Sequence, residues 1–197
     1  VEDLPDDTTM AERRAAGVPL ARAEIGVLLA YAKIVALDDL VGGTVPDDPY
    51  LKALLVDYFP PKMQKRYAAE IDGHRLRREI IATVLSNSMI NRGGPTYISR
   101  VSDHTGAKLD VIARAYVVVR DAFRLPEINE SIDALDNKIP GDLQLELYAI
   151  LQDRVISQSI WFVRYGDFRN GLEAEAMRYR KAVDALMPKL EKIGPDF

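Results

Sequence analysis

The chain contains no cysteine, which excludes disulfides, iron–sulfur clusters and thiolate nucleophiles. It has only two histidines, His74 and His104, in 197 residues, so a compact histidine-rich metal site cannot form. No apolar run is long enough to cross a bilayer, and the first residues lack the pattern of a secretory signal peptide. We therefore expect a cytoplasmic protein with no membrane segment and no metal site.

The sequence also lacks the short motifs that bind nucleotides or present nucleophiles. There is no GxG of a dinucleotide fingerprint, no GxxxxGK[ST] phosphate loop and no GxSxG elbow. The pairs Gly42-Gly43 and Gly93-Gly94 follow predicted helices, and we interpret them as helix ends. Asp103 could orient His104 as a general base, but no nucleophile lies nearby, which favours a polar helix end. No catalytic, cofactor-binding or metal-ligating residue is predicted.

Composition and charge are typical of a soluble globular protein, with 48% hydrophobic residues, 28% charged residues and a net charge of −4. The mild acidity argues against a nucleic-acid-binding surface spread over the chain. The length suits one domain, residues 1–197, with residues 1–7 as a loose lead-in. Because the sequence begins with Val1 and ends without an obvious terminus, we expect it to be a piece of a longer protein.

Helical periodicity dominates the chain, and no stretch alternates polar and apolar residues for long enough to predict a sheet. The prediction is an all-α, irregular bundle of about seven to nine helices. Residues 74–97 are expected to hold its central helix. The apolar stripe of that helix consists of Leu76, Ile80, Val84, Leu85 and Met89. Residues 20–41 are almost continuously apolar, which predicts a helix buried on most sides.

Prolines, glycines and capping residues mark the predicted helix boundaries. Thr8 or Thr9 should cap a first short helix. The expected later breaks and starts are Pro60-Pro61, Gly73, Pro95, Gly106, Leu125-Pro126, Pro140, Gly166, Gly171 and Pro188.

A set of polar residues around the central helix forms the candidate domain-contact cluster. Its members are Arg75, Arg77, Arg78, Asn87, Asn91, Arg92 and the turn Asp136-Asn137-Lys138. Arginine can bind a carboxylate or phosphate through two parallel hydrogen bonds. However, Arg75 and Glu79 are spaced for a surface ion pair on a helix, and the amides can serve to fix helix junctions.

Val101 to Arg120 offers an alternative, because helix, glycine turn and helix follow one another as in a helix-turn-helix. Lys108 and Arg114 are the only basic residues that its second helix offers before Arg120. The rest of that helix is too apolar for a DNA groove, so a buried helical hairpin is the preferred interpretation.

Several blocks of the chain resemble the C-terminal helical region of the large bacterial NAD-specific glutamate dehydrogenases. These blocks are HRLRREIIATVLSNSMINRGGPTY, LLAYAKIVALDDL, VPDDPYL, DYFPPKMQKRY and LDNKIPGDLQLEL. The likeness covers roughly residues 4–164 with consistent order and spacing.

The resemblance implies an enzyme of amino-acid catabolism that oxidises L-glutamate to 2-oxoglutarate and ammonium, with NAD as hydride acceptor. In that family the nucleotide-binding fold and the catalytic lysine lie upstream, so the resemblance transfers no catalytic residue to this chain. It implies a domain without its own cofactor that packs on the catalytic domain of the same chain, within a homo-oligomer. A free-standing interaction or regulatory module stays open as an alternative.

Overall fold

The computed structural model describes residues 4–191, except for the side chains of Met187, Leu190 and Glu191. Within this range the chain forms eleven α-helices and no strand, which confirms the all-α prediction. The helices are α1 (Asp7–Ala15), α2 (Arg22–Gly42), α3 (Lys52–Asp57), α4 (Pro61–Arg66), α5 (Ala68–Asp72), α6 (Arg77–Gly93), α7 (Tyr97–Thr105), α8 (Leu109–Ala122), α9 (Leu125–Asp133), α10 (Gly141–Tyr165) and α11 (Leu172–Glu191). The count exceeds the predicted seven to nine helices because it includes three short helices, α3 to α5.

Helix α8 lies at the centre of the fold. Eight of its fourteen residues are buried, including the unbroken run Ala115 to Val119. Helices α2, α6, α7, α10 and α11 pack around it, so no side of α8 is free to enter a DNA groove. The helix-turn-helix alternative is therefore wrong, because α8 is buried as the second helix of a hairpin whose first helix and turn are partly exposed.

The most buried helix is α8 and not α6, and the apolar stripe predicted for α6 is only partly correct. Leu76 precedes the helix and is exposed, while Ile80 and Val84 are only half-buried. The buried residues of α6 are Ile81, Ala82, Leu85, Ser86, Met89, Ile90 and Gly93. Helices α2, α3 and α10 contact α6, and its buried residues cover a wider face than the single stripe that the spacing predicted.

Helix α2 is much less buried than its apolar sequence predicted. Only Ala36 and Leu40 are buried, whereas Ile34 and Val35 are 52% and 58% exposed. The described chain contains no buried residue before Ala36. The prediction of burial on most sides is wrong, because α6 and α8 cover one side of α2 and no described residue covers the other.

Most predicted boundaries are confirmed, and the exceptions have local causes. Asp6, not Thr8 or Thr9, caps α1, since its carboxylate accepts a 2.7 Å hydrogen bond from the Thr9 backbone nitrogen. Residues 1–3 of the predicted lead-in lie outside the described residues. Pro95 falls two residues before α7 rather than at its first position. Helix α11 continues through Pro188, and the predicted apolar role of Leu190 falls on an undescribed side chain.

Candidate functional site

Arg78, at the start of α6, fixes the position at which α2 ends. Its guanidinium donates a 2.7 Å hydrogen bond to the Gly43 carbonyl oxygen, and its Nε lies 2.9 Å from an Asp47 carboxylate oxygen. Gly43 follows α2, and Asp47 ends a 3₁₀ turn at Val45–Asp47. One side chain thus joins the end of α2, the following turn and α6.

The two neighbouring arginines of the candidate cluster are exposed. Arg75 and Arg77 point away from the core, and the expected ion pair between Arg75 and Glu79 does not form in the described structure. Arg75 lies in the turn before α6, so it lacks the helical geometry that an i,i+4 pair requires.

Arg92 performs a similar joining role at the other end of α6. Its guanidinium donates a hydrogen bond to the side-chain oxygen of buried Asn129, whose amide donates at 2.7 Å to the Leu125 carbonyl oxygen. The Gln152 amide on α10 donates at 3.0 Å to the Gly93 carbonyl oxygen. These contacts join the end of α6 to α9 and α10.

A polar cavity of about 210 Å³ lies beside Arg92. Asn91, Asp133, Tyr148 and Gln152 are among its lining residues. The Tyr148 hydroxyl donates to the Asp133 carboxylate, and this bond raises the pKa of Tyr148. The cavity is a gap at the junction of α6, α9 and α10, and its polar groups largely bond to one another.

The middle of α6 contributes hydroxyl and amide groups to the interior. The hydroxyls of Ser88 and Tyr116 are 2.7 Å apart, and Asn87 is half-buried. On α7 the hydroxyl of Tyr97 donates a 2.7 Å hydrogen bond to buried Ser159. Burial raises the pKa of both tyrosines, so both act as neutral hydroxyls that pair helices across the core.

The turn Asp136-Asn137-Lys138 connects α9 to α10 at the surface. All three side chains are exposed, and Asn137 adopts a positive φ of 59°, which asparagine tolerates better than most residues. The Asn137 amide donates at 3.2 Å to the Asp136 carboxylate. The turn therefore makes a local contact and leaves Lys138 free to meet a neighbour.

The candidate residues do not form one cluster. Arg78 and Arg92 are fourteen residues apart on one helix, which corresponds to about 21 Å at 1.5 Å per residue. The structure places Arg75, Arg77 and Arg78 at one end of α6, and Asn91 and Arg92 at the other.

Sequence reasoning missed a third junction, around Arg114 on α8. Its guanidinium lies 3.4 Å from Asp110, 3.7 Å from Asp48 and 3.1 Å from the Thr44 hydroxyl. Asp110 also accepts a 3.2 Å hydrogen bond from the Thr44 backbone nitrogen. The i,i+4 spacing of Asp110 and Arg114 was a signal of a helical ion pair, whereas the contacts with residues 44 and 48 depend on tertiary packing.

Neither a metal-binding group of side chains nor a membrane-spanning helix is present in residues 4–191. No group of three or more histidine, aspartate or glutamate side chains there is arranged to hold a metal ion. No helix in the same range combines the length and apolarity needed to cross a bilayer.

The geometry defines an all-helical domain in which the polar side chains singled out on α6 to α8 mainly join helices to one another. Residues 17–196 match the family model described as Glutamate dehydrogenase, C-terminal. The chain belongs to this family.

Curated proteins are similar to nearly the whole of this chain. The chain is 36% identical over 193 residues to the NAD-specific glutamate dehydrogenase of Halomonas elongata, and 37% identical over 199 residues to that of Pseudomonas aeruginosa. Identity to the Mycobacterium tuberculosis protein of the same name is 28% over 192 residues. These matches cover 98–99% of this chain but only 12% of each relative, so the chain spans about one eighth of their length.

Proposed function

We propose that this chain is a non-catalytic helical domain of an NAD-specific glutamate dehydrogenase and that it supports the catalytic region of the same polypeptide. The reaction is L-glutamate + NAD⁺ + H₂O → 2-oxoglutarate + NH₄⁺ + NADH + H⁺. The relatives are NAD-specific glutamate dehydrogenases by name, and this chain spans 12% of the length of each.

The supporting role is inferred from the groups that the polar side chains contact. The side chains of Arg78, Arg92 and Arg114 all make contacts between helices. The hydroxyls of Tyr97 and Tyr116 make hydrogen bonds between helices inside the core. Side chains engaged in this way fix helix positions instead of meeting a substrate. NAD binding, cytoplasmic location and a homo-oligomeric state belong to the same proposal and remain predictions for the longer polypeptide.

The test compares the complete polypeptide with a version truncated before Leu4. Glutamate-dependent NADH formation is followed by absorbance, and assembly is followed by light scattering. We expect the truncated protein to show a lower kcat or an altered mass, because the catalytic region loses the domain it packs against. Unchanged kcat, KM and mass would refute the supporting role, and turnover by residues 1–197 alone would refute its non-catalytic character.

A further inference from the structure

Helix α2 presents an apolar face that nothing in the described structure covers. We define the α2 outer face as Val27, Tyr31, Ile34 and Val35. Tyr31, Ile34 and Val35 are 42%, 52% and 58% exposed. At about 100° per residue, these three lie within a 100° sector, and the buried Ala36 and Leu40 lie on the opposite side. The helix is thus apolar on two faces, of which the core uses one.

Contiguous exposed apolar residues, unlike single scattered ones, are a feature of interaction sites. The segment around it has little burial of its own, because no residue from Leu4 to Val35 is buried. Helix α1 is held to the start of α2 by Arg13, whose guanidinium donates at 2.8 and 3.0 Å to the two carboxylate oxygens of Glu24. Helices α1 and α2 therefore form a connected unit with an uncovered apolar side.

The occupant that fits this face best is the rest of the same polypeptide. The curated relatives extend far beyond the matched part, since this chain covers 12% of each. The family description places the matched part at the C-terminal end, so the remainder would precede α1. A tethered partner that enters next to α1 has a high effective concentration at α2, so it can dock there without a large affinity.

Helix α10 also exposes apolar residues, but its outward side is interrupted. Leu143, Ile150 and Trp161 are 44%, 52% and 40% exposed, while Arg154 and Ser157 lie between them on the same side. A charged residue in the middle of an interface is costly to desolvate, whereas on the α2 outer face the charged Asp38 lies one turn beyond the apolar residues.

We propose that the α2 outer face is the surface on which the preceding, catalytic part of the polypeptide docks. This inference rests on the proposed function and specifies its contact surface. It adds an apolar surface to the polar candidates, of which Arg78 and Arg92 already have partners inside the domain.

The first test places a photo-crosslinking amino acid at position 35 of the complete polypeptide. The same amino acid at position 58 serves as a control, because Tyr58 is also 58% exposed and does not belong to the α2 outer face. We expect a crosslink from position 35 that maps to the preceding region and leaves the denatured mass at that of one chain. A crosslink at twice that mass would identify a second copy as the occupant and overturn the proposal, as would no crosslink at all.

The second test replaces Val35 by glutamate in the complete polypeptide, with Tyr58→Glu as the matched control. A carboxylate buried without a partner should weaken docking by roughly tenfold or more. Because proteolysis tracks the population of the open form, cleavage ahead of Leu4 by dilute protease should accelerate by about the same factor. Equal cleavage rates for Val35→Glu and Tyr58→Glu would overturn the proposal. If truncation impairs the enzyme but both α2 tests fail, the proposed function stands and only this surface is wrong.

Discussion

The hydrogen bond between Tyr97 and Ser159 gives a quantitative test of the core. Both side chains are fully buried, and the tyrosine hydroxyl donates to the serine hydroxyl at 2.7 Å. Tyr97→Phe leaves the Ser159 oxygen without this partner, and Ser159→Ala leaves the Tyr97 hydroxyl unpaired. Each single change should cost about 1–3 kcal/mol of the free energy of unfolding, the penalty for a buried polar group that loses its partner.

The double variant Tyr97→Phe/Ser159→Ala removes both polar groups together. It should cost less than the sum of the two single variants, with a coupling of about 0.5–3 kcal/mol. For a chain of this size, each kcal/mol corresponds to about 2–4 °C in Tm. Urea unfolding followed by circular dichroism measures all four proteins. Additive costs, with a coupling below about 0.3 kcal/mol, would show that the two hydroxyls do not depend on each other.

Three further predictions follow from single residues. Gly93→Ala should destabilise the chain by about 1–3 kcal/mol in thermal melts, because a Cβ there would clash with the Tyr97 side chain. Gly26→Ala, in open space on α2, should stabilise it. Burial and the nearby Asp121 carboxylate raise the pKa of Tyr50 to about 12, so the folded state keeps a proton that the unfolded state loses above pH 10. Stability should therefore fall between pH 10 and 12 in urea titrations, and Tyr50→Phe should make this fall shallower. Arg92→Ala should lower the activity or weaken the assembly of the complete polypeptide by loosening α9, whereas unchanged kinetics and oligomer size would contradict this.

The helical fold could be predicted because its signals are local. Pro61, Gly106 and Gly171 act through the backbone of their own neighbourhood, so the positions of most helix ends follow from residue type. The first helix shows the limit of this reasoning, because Asp6 caps it in place of the predicted Thr8 or Thr9.

Burial could not be predicted in the same way, because it depends on how many neighbours a helix acquires. The sequence of α2 is more continuously apolar than that of α8, yet α2 has two buried residues and α8 has eight. The spacing within a helix shows which residues share a face, but it does not show whether another helix covers that face. The polar candidates on α6 do not lie together for a related reason. Residues at the two ends of a long helix are near one another in the sequence but far apart in space.

The angle at which α2 leaves the core is set by contacts at its C-terminal end. Arg78 holds the Gly43 carbonyl, and Asp110 holds the Thr44 backbone nitrogen. A Cβ at Gly43 would lie 2.7 Å from the Asp110 carboxylate, so a larger residue there would require the Asp110 side chain to move. Arg114 binds Thr44 in turn and belongs to the buried central helix α8. The α2 outer face is thus connected to the central helix α8 through a junction of half-buried charges, which gives these charges a role that a solvated surface cluster would not have.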